Sequence, residues 1–310
     1  MIRLLYVITI SLLLCNSVFS QTGTSSFYMY DSVHITINAP AIQHKQKTTL
    51  IVYALPNGNT TAQTMGKIME PGDDWHFNIQ HIAAQTRFIR NALPHENIIV
   101  AYLENKYKSW PLWKQKHADA PQLIAHIIDT LYNLVQQRQK TVYLNGHSGG
   151  GSFIFGYLKS QQSIPSFIRR ISFLDSDYGY DSTYTPIIKE WLANNKDAVL
   201  TVFAYNDSVA LYNNKPLVSP TGGTWYRSKL MLSDLETIYR FERSRNDSIS
   251  AFTTRDGRIQ FFFKDNPDRG IYHTQQVEKN GFIHSVLCAT RQESKGYRYY
   301  DTLAYRKWIQ

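Results

Sequence analysis

The chain has 310 residues, 43% of them hydrophobic and only 18% charged, with a formal net charge of +9. This balance excludes extensive disorder and leaves room for one large α/β domain or two small ones. No Lys/Arg run stands out, so the charge reads as a generally basic surface that can favour an anionic partner, and no nucleic-acid binding is expected.

The first twenty residues differ from the rest. Arg3 precedes an apolar stretch from Leu4 to Cys15, and Val18-Phe19-Ser20 ends on a small residue. That pattern predicts a secretory signal peptide over 1–20, too short for a comfortable membrane span, and a secreted or periplasmic domain over 21–310. Its removal would take one of the two cysteines and leave Cys288 alone, so no intramolecular disulfide is expected. No later stretch is long and apolar enough to span a bilayer.

Gln21 to Ser26 reads as a polar lead-in. Ser32 to Asn38 alternates polar and apolar residues, as a half-buried strand does. Thr49 to Ala54 (TLIVYA) and Asn97 to Leu103 (NIIVAYL) are continuous apolar runs, as in strands buried on both faces. Between them, apolar spacing from Trp75 through Ile89 predicts a helix beginning at Asp74. Asp119 and Pro121 open a second helix with an apolar stripe from Leu123 to Val135. Thr141 to Leu144 is a short strand, and Phe153 to Leu158 reads as a helix. The alternation continues with a strand over 171–174, a helix over 186–193, strands over 199–204 and 258–263, and helices over 233–243 and from His284. Strands alternating with helices predict a doubly wound, mostly parallel sheet covered on both faces. The stretch from about 208 to 257 is longer than one crossover requires and could form a small cap.

The stretch "YLNGHSGGGSF", from Tyr143 to Phe153, places Ser148 among four glycines between a strand and a helix. G-x-S-x-G there fits a nucleophile elbow, in which the serine sits on a strained turn that lifts Oγ above the sheet. With this motif, the strand–helix order, an acid after a later strand and a late histidine, the chain resembles the α/β-hydrolase superfamily. The resemblance covers essentially the whole chain past the leader, but its specific motifs are few. It implies a serine hydrolase with a Ser-acid-His triad, most simply a carboxylic-ester hydrolase working through an acyl-enzyme without a cofactor.

The resemblance implies roles for other residues. The triad acid usually follows the strand two after the elbow strand, which favours Asp207; some members carry it one strand earlier, which keeps Asp175 and Asp177 open. Among ten histidines, two follow the last predicted strand. His284 opens a predicted helix and is favoured as base, with His273 as the alternative. The oxyanion hole is expected from backbone N–H groups of Gly149 and of Gly58 or Asn59 in the loop after Ala54. His147, Trp110, Trp113 and Arg227 are weaker substrate-binding candidates: the tryptophans could stack on a sugar or pack as a loop, and Arg227 could meet an anionic group. His76 and His81 are badly spaced for one helix face and no H-E-x-x-H is present, so no metal is expected. The expected partner is a small-molecule or polymer-linked ester. A peptidase or acyltransferase on the same triad, or a non-catalytic binding module on this scaffold, are the alternatives.

Overall fold

From Leu50 to Ala54 successive side chains fall alternately into two cores: Leu50, Val52 and Ala54 into one, Ile51 and Tyr53 into the other. That is the period of two expected of a strand covered on both faces. The computed structural model describes residues 23–310; the expected signal peptide lies outside them.

The strands are β1 (Gly23–Met29), β2 (Val33–Ala39), β3 (Lys47–Ala54), β4 (Glu96–Asn105), β5 (Lys140–His147), β6 (Ile168–Leu174) and β7 (Val199–Tyr205), then the small pair β8 (Leu211–Tyr212) and β9 (Lys215–Pro216), and finally β10 (Phe241–Asn246), β11 (Ile249–Thr254) and β12 (Ile259–Lys264). Ten of them form one sheet in the order β1-β2-β4-β3-β5-β6-β7-β12-β11-β10. From β4 across to β12 every neighbouring pair is parallel. Antiparallel strands close both flanks, β1 and β2 on one side and β11 and β10 on the other.

The helices are α1 (Thr61–Met65), α2 (Ile82–Ala92), α3 (Trp110–Lys116), α4 (Ala120–Leu134), α5 (Gly151–Ser160), α6 (Thr185–Asn194), α7 (Thr224–Glu236), α8 (Gln275–Glu278) and α9 (Gly281–Leu287). Helices α3 to α7 bury Trp113, Ile127, Phe153, Trp191 and Met231 against one face of the sheet. On the other face, α2, α8, α9 and the C-terminal segment bury Ile89, Val277, Ile283 and Tyr305. The expected doubly wound, mostly parallel sheet is present.

Four expectations change. The helix predicted from Asp74 starts only at Ile82: Asp74 caps a short 3-10 turn over Trp75–Asn78, and His81 stands in the left-handed region at φ 46°. Trp75 is 64% exposed, so it does not belong to an apolar stripe. Gly23 to Ser26 of the polar lead-in belong to strand β1, because backbone pairing with β2 does not require an apolar sequence at an edge. The 208–257 stretch is not a cap as a whole. Its helix, α7, lies 17 residues later in the chain than Asp207 at its start, where Thr224 N–H meets that carboxylate, and its strands β10 and β11 extend the main sheet. The helix predicted over 233–243 is accordingly split: α7 ends at Glu236 and β10 begins at Phe241.

Candidate active site

β5 ends at His147, and a 3-10 turn over Ser148–Gly150 runs straight into α5. Ser148 carries φ 53°, in the left-handed region that a non-glycine residue enters only at a cost of order 1–3 kcal/mol. The surrounding glycines hold that conformation because there is no room for side chains. A Cβ on Gly150 would stand 2.2 Å from the Ala54 carbonyl oxygen, and one on Gly149 would stand 2.0 Å from Asn57 Oδ1. The turn is therefore clamped between the end of β3 and the loop that follows it. The N-terminus of α5 points its unpaired N–H groups to the same place.

Ser148 opens on a cavity of about 450 Å³ whose other walls include Asn57, Pro111, Gly149, Ser152, Ser176 and Tyr178. A cleft of equal volume lies between Lys159, Asp181 and Glu190, but no histidine or serine lines it. Volume does not choose between them; the chemistry of the walls does.

His273 stands in the loop between β12 and α8. Its Nδ1 is hydrogen-bonded to Asp175 Oδ2. The ring packs edge-on against His147, the residue before Ser148, with centroids 4.5 Å apart. Tyr178, from the wall of the cavity, brings its Oη to 3.5 Å from His273 Nδ1. Asp175 follows the last residue of β6 and takes φ 49°, so the chain turns there and sends the carboxylate across toward the histidine. Its side chain is fully buried, whereas the His273 side chain keeps 21% exposure. The structure therefore joins His273 to Asp175 and sets the His273 ring against His147, the residue before Ser148.

It does not bring His284 there. His284 Nε2 bonds Gln260 Oε1 at 2.9 Å and Tyr297 bonds its Nδ1 at 3.2 Å, so both ring nitrogens are occupied. Aromatic rings of Phe203, Phe262 and Tyr299 surround it. Burial, and secondarily the nearby Arg170 charge, push its pKa down to about 3. A neutral core histidine with both nitrogens engaged cannot serve Ser148.

Asp207 is also displaced from the role expected of it. It stands just past β7, but its Oδ2 accepts the Thr224 N–H at 2.7 Å and its Oδ1 accepts the Trp225 N–H at 3.3 Å. It caps α7 instead of meeting a histidine. Asp177 accepts from Ser228 Oγ at 2.8 Å on the same helix. Burial drives the Asp177 carboxyl well above its ordinary range, helped by the Asp175 and Asp207 charges. Burial and the Asp175 charge raise Asp207 to about 6.

The oxyanion-hole expectation is revised in part. Gly58 donates its backbone N–H to the Lys108 carbonyl at 2.8 Å and has none to offer. Gly149 and Asn57 line the cavity beside Ser148, and the Asn57 carboxamide stands where a Cβ on Gly149 would be. Asn59 is buried in the same loop, its Nδ2 without a partner among the described residues.

The weaker candidates also change. Trp110 and Trp113 are 1% and 0% exposed, and Trp113 Nε1 donates to Ser32 Oγ at 3.0 Å. They are core residues of α3 and present no stacking face. Arg227 donates to the Tyr180 carbonyl at 2.9 Å and is absent from the walls beside Ser148. His147 is 2% exposed and backs the His273 ring; burial, then the His273 charge, push its pKa well below the ordinary imidazole value. Among the described residues no cluster could hold a metal and no helix is long and apolar enough to cross a membrane. Sequence reasoning missed the side chains of Asn57, Tyr178 and Thr224. The first two lie in motifs it singled out, the loop after β3 and the run after β6, while nothing local marks Thr224.

No family profile and no curated protein matches the chain. Solved structures similar to it include the siderophore hydrolase EstA from Aspergillus nidulans, at 11% identity and TM-score 0.46, over 86% of this chain and 95% of that one. A thermostable esterase matches at 13% identity and TM-score 0.49 over 86% of this chain, which spans only 62% of that esterase. Poly(aspartic acid) hydrolase-1 from Sphingomonas sp. KT-1 matches at 12% identity and TM-score 0.42, over 70% of this chain and 86% of that one. Within the protein itself, the strand order β1-β2-β4-β3-β5-β6-β7 and the left-handed serine between β5 and α5 have a single architectural reading: the chain is built on the α/β-hydrolase fold.

Proposed function

We propose that the chain is a serine hydrolase of carboxylic esters in which Ser148 is the nucleophile, His273 the base and Asp175 the orienting acid. One observation carries this reading. His273, bonded to a fully buried carboxylate, stands against the residue preceding a serine held at φ 53° on a strand-to-helix turn. The Asp175 bond to Nδ1 fixes the tautomer that leaves Nε2 as a proton acceptor.

In the proposed reaction His273 Nε2 takes the Ser148 proton as Oγ bonds to the ester carbonyl carbon. The carbonyl π pair moves onto oxygen, where the N–H of Gly149 and a donor from the Asn57–Asn59 loop receive it. Collapse of this intermediate breaks the bond to the alkoxy group, which leaves as the alcohol with the His273 proton. Water, deprotonated by the same nitrogen, then releases the acid and restores Ser148. The cavity walls carry hydroxyl, amide and apolar groups and no Lys or Arg, which supports a small uncharged acyl group over an anionic one. The 1–20 leader and an extracytoplasmic location belong to the same proposal.

The test is labelling of the protein with a fluorophosphonate, the modified peptide being located by mass spectrometry. Modification at Ser148, lost in His273→Ala and kept in a folded His284→Gln, is the expected result. Labelling that survives in His273→Ala but disappears in folded His284→Gln would sink the assignment of the base.

A further inference from the structure

Two carboxylates from neighbouring strand ends converge on one threonine. Asp175 follows β6, and Asp207 follows β7, its immediate neighbour in the sheet. Between them stands Thr224, the first residue of α7. The Thr224 hydroxyl is hydrogen-bonded to Asp175 Oδ1 and lies 3.2 Å from Asp207 Oδ2. A hydroxyl has one proton. The Asp207 oxygens are already served by the backbone N–H groups of Thr224 and Trp225, whereas Asp175 Oδ1 receives the hydroxyl and Oδ2 faces His273. The approach is close enough to dictate the preceding residue. A Cβ on Gly223 would stand 2.3 Å from both Asp207 oxygens, so only glycine lets the helix start against that carboxylate.

We propose that Asp207 and Thr224 are positioning residues for the triad: Asp207 anchors the first turn of α7, and Thr224, placed by it, donates its proton to Asp175 Oδ1 and so aims Oδ2 at His273. This rests on the triad proposed above. A fully buried carboxylate needs its remaining lone pairs satisfied if it is to stay ionised beside the histidine. Thr224 supplies that donor from an element otherwise remote from the serine. Asp207 has a second effect through charge. The groups facing it are Asp175 and Asp177 with Tyr178 and Tyr205. Once ionised it adds a second negative charge behind Asp175.

The two residues therefore affect the base in opposite directions. Without the Thr224 hydroxyl, Asp175 is less stabilised as an anion and holds the His273 proton more tightly. Without the Asp207 charge, His273 loses its proton more easily. The readout is the rate of fluorophosphonate labelling at Ser148 from about pH 5 to about pH 9, which needs no known substrate and traces the ionisation of the base. Thr224→Val keeps the backbone N–H that Asp207 accepts. It should label roughly ten- to a hundredfold more slowly than wild type, the scale of one hydrogen bond to a charged group, with the acid limb moved to higher pH. Thr224→Ser should restore the rate. Asp207→Asn should keep the rate within about tenfold and move the limb to lower pH.

Wild-type labelling by Thr224→Val, or limbs that stay in place in both variants, would overturn the positioning role and leave the triad standing. A loss in Asp207→Asn as deep as in Asp175→Asn would make Asp207 the acid and overturn both. Absence of any wild-type modification at Ser148 would remove the triad reading itself, and this inference with it.

Discussion

His273 Nδ1 and Asp175 Oδ2 are hydrogen-bonded across 98 residues of chain, from a loop after one parallel strand to the end of another two places away in the sheet. The carboxylate is wholly buried and the ring keeps 21% exposure. That is the polarity an acid–base pair requires: the orienting group dry, the working group reachable.

Asp175→Asn should leave the fold intact and lower the hydrolysis of p-nitrophenyl acetate by about 10⁴, because the amide favours the wrong imidazole tautomer. Steady-state kinetics on the folded variant checks this. Activity within tenfold of wild type would remove Asp175 from the triad.

Gly149 has no space for a methyl group, since Asn57 Oδ1 would lie 2.0 Å from it. Gly149→Ala should therefore cost about 10²-fold or more in kcat, the scale of a disturbed oxyanion hole. Adding Asn57→Gly removes the clash, so the double variant should lose less than the product of the single losses. Independent, multiplicative effects would show that the two residues do not contact each other in solution.

His284 gives a stability prediction with a definite sign. Its folded-state pKa, about 3, lies below the ordinary imidazole value, so the unfolded chain binds the proton first. The stability it contributes is complete above about pH 6.5 and is lost as pH falls toward the folded value. His147 acts in the same direction, whereas Asp207, raised to about 6, contributes stability below its unfolded value and loses it as pH rises to about 6. Because these oppose, the measurement is a comparison. Urea denaturation of His284→Gln should show a pH slope about 1.4 kcal/mol per unit shallower than wild type between about pH 4 and about pH 6. Parallel slopes would mean that His284 titrates normally in the folded protein.

Trp110 packs edge-on against Trp113 and Phe153 with centroids 5.5 Å and 4.7 Å away. Trp110→Ala should cost about 3–5 kcal/mol in stability by opening a cavity. Under conditions where the variant is folded, its KM for the same ester should not change. A rise in KM without loss of stability would restore a substrate-contacting role.

The sheet was legible in the sequence because each buried strand carries its own local signal: an apolar run bounded by turn residues, as in TLIVYA and NIIVAYL. The elbow was legible for a related reason. A serine among glycines at a strand end reports a backbone that excludes side chains, and Ser148 takes the left-handed conformation that implies. The edge strands β1 and β10 were not legible, because edge pairing is made by backbone groups and β10 is nearly all exposed.

The sequence by itself determined the parallel sheet, the position of a serine on a strand-to-helix turn and a short set of candidate acids and bases. Only the tertiary structure decided among them. Asp175 and Asp207 have the same local character, an aspartate just past a buried parallel strand, and differ in what stands opposite: a loop histidine for one, the start of α7 for the other. His284 has the better local context by sequence, yet it lies mid-way along α9, which Gly281 begins, and that apolar helix carries it into the core beside Gln260. His273, in an irregular loop with no periodicity to mark it, is the one left beside Asp175 and His147. Strand propensity and turn chemistry are written within a few residues, whereas a hydrogen bond spanning 98 residues depends on how the strands are ordered and where each connecting loop returns.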